Sequence, residues 1–334
     1  MAEPFWAEHA VLAGDYRDRE EWLELRRGGI GSSDCSAVLG MSKYESPFSV
    51  WVDKTGRGRA DEESEAMMWG TLLEPVIRAE LGRRLGVEVV ECKTLRSLAR
   101  PWQLYNPDGL ILESGELVEI KNASAWLAKE WEDGVPDHAE LQTQHGMAVT
   151  GAVGAYVAGL IGGNRLAWEY IPRDDHLIDN VIIPAEQHFW ETFVLGDEQP
   201  PIDGTDATTE AIAHLWPDRG VEEKAEDLDA VLAAMADYEA AHAAEKQAKA
   251  DKALAVNVLA SLMQGADALT DAEGNRLVAL KRGQFREKAF QEEFDGAPEW
   301  MHKVEVVDRD RMKNEDPELY RRYQSASIYL PKRK

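Results

Sequence analysis

The sequence predicts an α/β fold in which a central mixed β-sheet is flanked by helices. Apolar residues recur at three- and four-residue spacing over about 66–85, and residues 137–150 also predict a helix. Two apolar runs, Gly154–Gly159 and Leu166–Ile171, flank the turn Gly162-Gly163-Asn164 and predict a pair of strands. Helices that alternate with short strands favour a layered α/β architecture.

Local signals predict the other elements of the first 200 residues. Residues 18–28 predict a helix that the run Gly28-Gly29-Ile30-Gly31 ends, and Ser32-Ser33-Asp34 supplies N-cap side chains for a short helix through Leu39. Residues 173–196 predict a helical segment with a break or kink at Pro184. The further candidates are a helix at 47–55 and strands at 87–90, 93–98, 109–113 and 116–121.

A change of composition after Pro200-Pro201 predicts two regions. The stretch to Thr209 is linker-like, so we expect a core at 1–204 and a C-terminal region at 205–334. Ala, Glu, Asp and Lys dominate about 221–264 and predict one long helix, either packed against a partner or serving as a solvated spacer. A hairpin is predicted next, at 268–282.

Composition limits the classes of protein to which the chain can belong. Its 334 residues include 44% hydrophobic residues, which is enough for a sizeable core. The two cysteines, Cys35 and Cys92, provide neither a disulfide framework nor a metal-ligand spacing. Without a membrane span or a signal-peptide pattern, we expect a soluble, cytoplasmic protein. The net charge of −25 disfavours nucleic-acid binding, although basic residues cluster at Arg26-Arg27 and Arg83-Arg84.

Asn106-Pro107-Asp108-Gly109 and Val118-Glu119-Ile120-Lys121 are the most informative segments. The first predicts a turn that presents Asp108, and the second a strand on which Glu119 and Lys121 share a face. Either segment alone is common, but Leu117 shares that face, which indicates a cleft rather than open solvent. Two oxygen ligands suit Mg²⁺ or Mn²⁺, and the adjacent amine is typical of a metal-dependent phosphodiesterase.

At these residues the chain resembles the PD-(D/E)XK nuclease superfamily, and within it the lambda exonuclease and YqaJ-type viral recombinase group. The resemblance covers roughly residues 20–200. It implies a PD-(D/E)XK core, with the long helix and hairpin as a C-terminal appendage. The matching segments, in the expected order, are Trp22–Arg26 with Gly29–Asp34, Ser46–Trp51 with Lys54–Gly56, Trp69–Glu74, Asp108 with Glu119–Lys121, and Leu141–Gln144 with Met147–Gly151.

The resemblance implies a metal site with a catalytic lysine. Asp108 and Glu119 would ligate the metal with the carbonyl of Ile120, and Lys121 would orient the attacking water or stabilise the transition state. Glu74 would ligate the metal or position water; the alternative is a surface glutamate on an amphipathic helix.

A neighbouring helix carries further polar candidates. Gln142 would bind a phosphate or the attacking-water network. Gln144 is disfavoured because a helix rotates it about 200° away from Gln142. His138 and His145 are weaker candidates for proton carriers, because a lysine-type site needs no histidine.

Arg26 and Ser33 match the residues that bind the terminal 5′-phosphate in the lambda-type enzymes. A guanidinium fork and a hydroxyl near a helix N-terminus suit an anion pocket. Arg27 and Ser32 are the neighbouring alternatives, and Arg26 could instead cap the C-terminus of its helix.

The resemblance implies a phage-type, Mg²⁺-dependent 5′→3′ exonuclease that acts on double-stranded DNA ends and leaves 3′ single-strand overhangs for annealing-based recombination. Mn²⁺ would substitute for Mg²⁺. A single-strand annealing protein and a homo-oligomer, with a trimer favoured, are the implied partners, and the C-terminal region would serve assembly or DNA contact.

Two rival functions stay open at this point. One is a structure- or site-specific DNA endonuclease built on the same metal site, and the other is a non-catalytic DNA-binding recombination scaffold. The basic and aromatic tail segments would either contact DNA or make ordinary intrachain contacts; they are Arg309–Arg311, Tyr320–Tyr323 and Lys332–Lys334.

Overall fold

The computed structural model describes residues 4–14, 16, 18–58, 64–132, 134–216, 224–293 and 307–329. These residues form two compact units, Met1–Gly220 and Val221–Lys334. No helix within the described ranges is both long enough and apolar enough to cross a membrane.

The first unit alternates strands and helices. In chain order its strands are β1 (Ala10–Leu12), β2 (Leu95–Ser97), β3 (Leu104–Tyr105), β4 (Gly109–Ile111), β5 (Glu116–Ala123), β6 (Gly154–Ile161) and β7 (Arg165–Pro172). Its α-helices are α1 (Arg19–Arg27), α2 (Ser32–Val38), α3 (Pro47–Lys54), α4 (Glu65–Leu85), α5 (Asp137–Thr150), α6 (Asp175–Leu177), α7 (Ile183–His188) and α8 (Asp206–Leu215). A 3₁₀ segment, Ala125–Trp131, and two π-helical segments, Ile178–Ile182 and Phe189–Leu195, complete it.

The central sheet has the strand order β4-β5-β6-β7. β5 pairs antiparallel with β4 and parallel with β6, whereas β6 and β7 are antiparallel. Helix α5 lies in the β5–β6 connection, as a parallel pair requires. Leu117 of β5 packs with Met147 of α5, and Val118 packs on the opposite face with Ile77 of α4. The predicted α/β fold with a central mixed sheet flanked by helices is therefore confirmed.

One local prediction was wrong, and another takes a different form. Residues 87–90 do not form a strand, because only Val90 finds a sheet partner, Leu110, while Val87 and Val89 pack with the α4 cluster. The helical segment after β7 stays helical through Pro184, so the predicted break is absent. The helix type does change beside this residue, from the π-helical segment Ile178–Ile182 to α7, which begins at Ile183.

Helix α8 packs with the first unit, beyond the boundary expected at 204/205. Its Thr208 hydroxyl donates to Ser46 at the start of α3 (2.7 Å), and Ile212 and Leu215 pack on the cluster that contains Phe48. A division between Gly220 and Val221 fits these contacts better than the proposed 1–204 and 205–334 regions.

The second unit combines a long helix with a small sheet. Its elements are α9 (Leu228–Met263), β8 (Ala268–Thr270), β9 (Arg276–Phe285), α10 (Glu287–Glu293), α11 (Arg309–Glu315), α12 (Pro317–Arg322) and β10 (Gln324–Tyr329), with the sheet order β10-β9-β8. The predicted long helix and the β8–β9 hairpin are both present. Many apolar side chains of α9 are exposed, among them Leu232, Met235 and Leu254.

The aromatic residues of the tail belong to the core of the second unit. Tyr323 is buried with Phe285 and Phe290, and Tyr320 stacks on Phe285 with ring centroids 5.2 Å apart. These contacts favour the intrachain alternative over DNA contact for both tyrosines. The expectation for Lys332–Lys334 lies outside the described residues.

Candidate active site

Most of the residues predicted from the sequence line one cavity of about 250 Å³. It lies where the end of α1, the start of α2, β5 and α5 meet. The fold therefore joins the expected metal site and the expected phosphate pocket in a single space. The predicted residues in its wall are Arg26, Ser33, Asp108, Glu119, Ile120, Lys121 and Gln142.

The β4–β5 hairpin places the two carboxylates. Gly109 pairs with Val118, so Asp108 lies at the entrance of β4 beside the middle of β5. The backbone N–H of Ile120 donates to Asp108 Oδ2 at 2.7 Å, which fixes this carboxylate against the strand that carries Glu119. This pairing therefore brings Asp108, from the predicted turn, next to Glu119, from the predicted strand.

The electrostatics of the carboxylates fit a divalent cation. Burial raises the pKa of Asp108 well above its ordinary value, and the negative charge of Glu119 raises it further. Positive charge beside the two carboxylates would favour the ionised form of Asp108. Their hard oxygen donors suit Mg²⁺ or Mn²⁺, so Asp108, Glu119 and the carbonyl of Ile120 are a suitable set to hold the ion that the resemblance implies.

Lys121 supplies positive charge at the same site. Its Nζ lies 2.5 Å from Glu119 Oε1 and also donates to Gln142 Oε1 on α5. Burial opposes the charged form of this lysine, but Glu119 and Asp108 outweigh burial and raise its pKa. Gln142 was expected to lie beside the charged residues, and it does so by accepting a hydrogen bond from Lys121.

Glu74 is not brought into the cavity wall. It lies on α4 and forms an ion pair with Arg78 one turn later. Its charge nevertheless contributes to the raised pKa of Asp108, so the two carboxylates interact electrostatically. This position fits a residue near the rim of the site better than a direct ligand.

The residues of the expected phosphate pocket surround Arg26. Its Nη2 donates to Ser33 Oγ at 2.9 Å and to Asp34 Oδ1 at 2.8 Å. The C-terminus of α1 is capped by the backbone of Gly28, so the Arg26 side chain is not the cap. Arg27 is directed toward Glu24 (3.4 Å) and Asp53 (3.7 Å) instead. Ser32 also lines the cavity and stays an alternative hydroxyl.

His145 has a structural place rather than a place in the cavity. Its Nδ1 lies 2.7 Å from the Glu186 carboxylate, and its Nε2 lies 2.8 Å from the backbone carbonyl of Leu104. The side chains of His145 and Glu186 are both fully buried. Because both ring nitrogens face oxygen acceptors, the doubly protonated ring is favoured. Burial opposes this charge, but Glu186 outweighs it and raises the pKa of His145.

Cys35 joins this pair, so that sulfur, imidazole and carboxylate atoms lie within 4.8 Å of one another. A thiol and an imidazole are softer donors than Mg²⁺ prefers, and both nitrogens of His145 already have partners. Glu186 was missed by the sequence analysis, since it lies 41 residues from His145 and follows no motif.

The other two candidates of α5 also find ordinary partners. Gln144 bonds to the backbone of Pro172 and Asp174, which supports its exclusion from the site. His138 is half-buried and packs edge-on against Tyr44. Burial lowers the pKa of His138, and the positive charge of Lys121 lowers it further, so this histidine lies at the margin of the charged group.

Residues 21–153 match the family model of the YqaJ-like viral recombinase domain, and every candidate residue lies inside this range. Over 197 residues the chain is 43% identical to the uncharacterized protein YqaJ of Bacillus subtilis (strain 168), which covers 58% of this chain and 61% of that protein. The chain thus aligns with less than two thirds of this relative.

Solved structures are similar to about half of this chain, at lower sequence identity. The alkaline exonuclease LHK-Exo from Laribacter hongkongensis is 26% identical, with a TM-score of 0.46, over 53% of this chain and 94% of that one. A phage related exonuclease from Haemophilus somnus 129PT is 13% identical, with a TM-score of 0.41, over 53% of this chain and all of the other.

Proposed function

We propose that this chain is a divalent-metal-dependent deoxyribonuclease that digests double-stranded DNA from its 5′ ends and leaves 3′ single-strand overhangs. The observation that carries the proposal is the single cavity that contains both Asp108, Glu119 and Lys121 and the Arg26–Ser33 pair. A pocket for a terminal phosphate beside the reacting bond suits an enzyme that starts from a DNA end, which favours an exonuclease over the rival endonuclease.

The residues of the cavity have three different roles in this proposal. Asp108 and Glu119, with the carbonyl of Ile120, hold Mg²⁺ or Mn²⁺, which when bound polarises the phosphate and lowers the pKa of water. Lys121, held by Glu119 and Gln142, orients the attacking water or offsets the charge that develops on the phosphate. Arg26 and Ser33 hold the terminal 5′-phosphate, so that the next phosphodiester lies at the carboxylates.

The proposal includes the setting in which the enzyme works. The substrate is a double-stranded DNA end in the cytoplasm, that of a bacterial host if a phage encodes the chain. The partners are further copies of the chain, with a trimer favoured, and a single-strand annealing protein that binds the overhang. Covalently closed circular DNA separates the rival endonuclease, which cuts it, from an exonuclease, which leaves it intact.

Removal of either carboxylate should abolish cleavage. We expect Asp108→Ala or Glu119→Ala to stop release of nucleotides from end-labelled duplex, and Lys121→Ala to slow it by about 100-fold or more while metal binding remains. Glu116→Ala, at the start of the same strand and outside the cavity wall, is the matched control. Wild-type digestion that continued in excess EDTA would show that the reaction is not metal-dependent.

Arg26→Ala should selectively slow digestion of 5′-phosphorylated ends. Charge-assisted hydrogen bonds of this kind contribute about 1.5–3 kcal/mol each, so we expect the preference for phosphate over hydroxyl ends to fall about 10- to 100-fold. The measurement is kcat/KM on matched duplexes that differ only at the 5′ end. A loss of preference in Arg27→Ala instead would assign the pocket to the neighbouring arginine.

A further inference from the structure

A buried ion pair lies behind the proposed anion pocket and joins two residues, Asp34 and Lys54, that have no role in the proposed reaction. Asp34 ends the Gly29–Asp34 segment, and Lys54 begins the Lys54–Gly56 segment. The side chains of Asp34 and Lys54 are 2% and 0% exposed, and Lys54 Nζ lies 2.6 Å from Asp34 Oδ2. Isolated charges are not buried this deeply unless other groups satisfy them.

Asp34 connects this pair to the pocket. Its Oδ1 accepts from Arg26 Nη2, while Oδ2 accepts from Lys54 and from the backbone N–H of Gly31 at 2.8 Å. Lys54 also donates to the carbonyl of Arg26 at 3.2 Å. Although burial opposes ionisation of Asp34, Lys54 and Arg26 lower its pKa below the ordinary value, so the group is a stable carboxylate.

These contacts leave one side of the Arg26 guanidinium for a ligand. The Nη2 group serves Ser33 and Asp34, whereas Nε and Nη1 have no hydrogen-bond partner among the described residues. Three of the five N–H groups of Arg26 are therefore available to an anion in the cavity. Since Ser33 Oγ accepts from Arg26, its hydroxyl proton is also free to donate to the same anion.

We propose that Asp34, held in turn by Lys54, is the positioning residue of the 5′-phosphate pocket. It touches no substrate; it fixes the plane of the Arg26 guanidinium so that the remaining N–H groups meet the terminal phosphate. This inference rests on the proposed function. It explains why a carboxylate, which would by itself repel a phosphate, stands next to the pocket, because the charge of Lys54 balances that of Asp34.

Charge and position make opposite predictions for Asp34→Asn. The substitution removes a negative charge, so a purely electrostatic pocket would bind phosphate more tightly. The amide also places an N–H₂ group toward Lys54 or Arg26, so a pocket that depends on position would lose its geometry. We expect the ratio of kcat/KM for 5′-phosphate over 5′-hydroxyl duplex ends to fall about 10-fold.

The matched control is Asp53→Asn. Asp53 is a partly exposed carboxylate 3.9 Å from Lys54 and 3.7 Å from Arg27, and it makes no hydrogen bond to Arg26. The Asp53→Asn substitution removes one negative charge close to Lys54, as Asp34→Asn does, and should leave the end preference unchanged. A structural defect alone would lower the melting temperature without changing this ratio, so thermal unfolding is measured beside it.

A double-mutant cycle tests whether Asp34 acts through Arg26. In the Arg26→Ala background, Asp34→Asn should produce no further loss of end preference. If Asp34→Asn fails to fold, Lys54→Met carries the test and should reduce the preference in the same direction. If both variants keep the full wild-type end preference, the proposed role of Asp34 is wrong, but the phosphate pocket is not contradicted. If the wild-type protein shows no end preference, the phosphate pocket itself is wrong.

Discussion

Glu45 lies half-buried beside the charges that support the anion pocket. Burial raises the pKa of this carboxyl to about 7, and the negative charge of Asp34 contributes to the shift, while Arg26 and Lys54 oppose it. A carboxyl whose pKa is higher in the folded state than in the unfolded chain stabilises the fold at low pH. That contribution is complete below pH 4.5, the ordinary pKa of a glutamate, and is lost as the pH rises through about 7.

Glu45→Gln should therefore stabilise the protein in alkaline solution. Because the amide carries no charge to bury, we expect the free energy of unfolding to rise by about 1–3 kcal/mol at pH 8, with little change at pH 5. Denaturant unfolding at the two pH values measures the difference. An equal gain at both values would mean that packing, and not titration, is responsible.

At the level of elements, strand β5 and helix α5 hold the site together. Sequence patterns predicted both, because helical periodicity and a run of strand formers are local properties. They did not predict that both faces of β5 are buried, with Leu117 on the α5 side and Val118 on the α4 side. Gly146 lets α5 approach, since an added Cβ would lie 2.7 Å from Tyr105 and 3.0 Å from Leu117.

Gly146→Ala should destabilise the protein although alanine is the better helix former. We expect a loss of about 1–3 kcal/mol from overpacking, together with slower cleavage because the same helix positions Gln142. Gly70→Ala in α4 is the control, because nothing lies within 4 Å of its added Cβ; it should gain up to about 1 kcal/mol. Stability measurements that ranked the two variants in the opposite order would contradict this packing.

Elements that depend on distant partners were beyond the sequence patterns. The pairing of His145 with Glu186 joins residues from separate helices, and neither has a local signal that names the other. The apolar run at 87–90 has the composition of a strand, but only Val90 has a partner. The grouping of Asp108, Glu119 and Lys121 was predictable because one hairpin carries all three residues.

At the scale of the whole molecule, the two units are expected to have different roles. Helix α9 exposes large apolar side chains such as Leu232, Met235 and Leu254, and exposed apolar surface of this kind is typical of an interaction site. The cavity residues all lie in the first unit. We therefore expect the second unit to serve assembly or DNA contact and to carry no catalytic group.

A chain ending at Gly220 should fold, bind metal and retain single-turnover cleavage, but should show a smaller oligomer or lower processivity. A chain ending at residue 204 should melt at a lower temperature, because it lacks α8 and exposes Phe48. Static light scattering and single-turnover assays separate these effects. Loss of single-turnover cleavage in the folded 1–220 chain would place a catalytic contribution in the second unit.

The backbone around Ile30 has a consequence for building hybrids of related proteins. Ile30 donates to Trp102 and accepts from Leu104, and the Leu104 carbonyl in turn faces His145. The loop that precedes the anion pocket is thus held by the same segment that leads into the carboxylates. A chimera that exchanged residues 19–34 alone would combine this loop with a supporting segment from a different parent. A functional exchange should therefore transfer residues 19–34 together with residues 95–150 from the same parent.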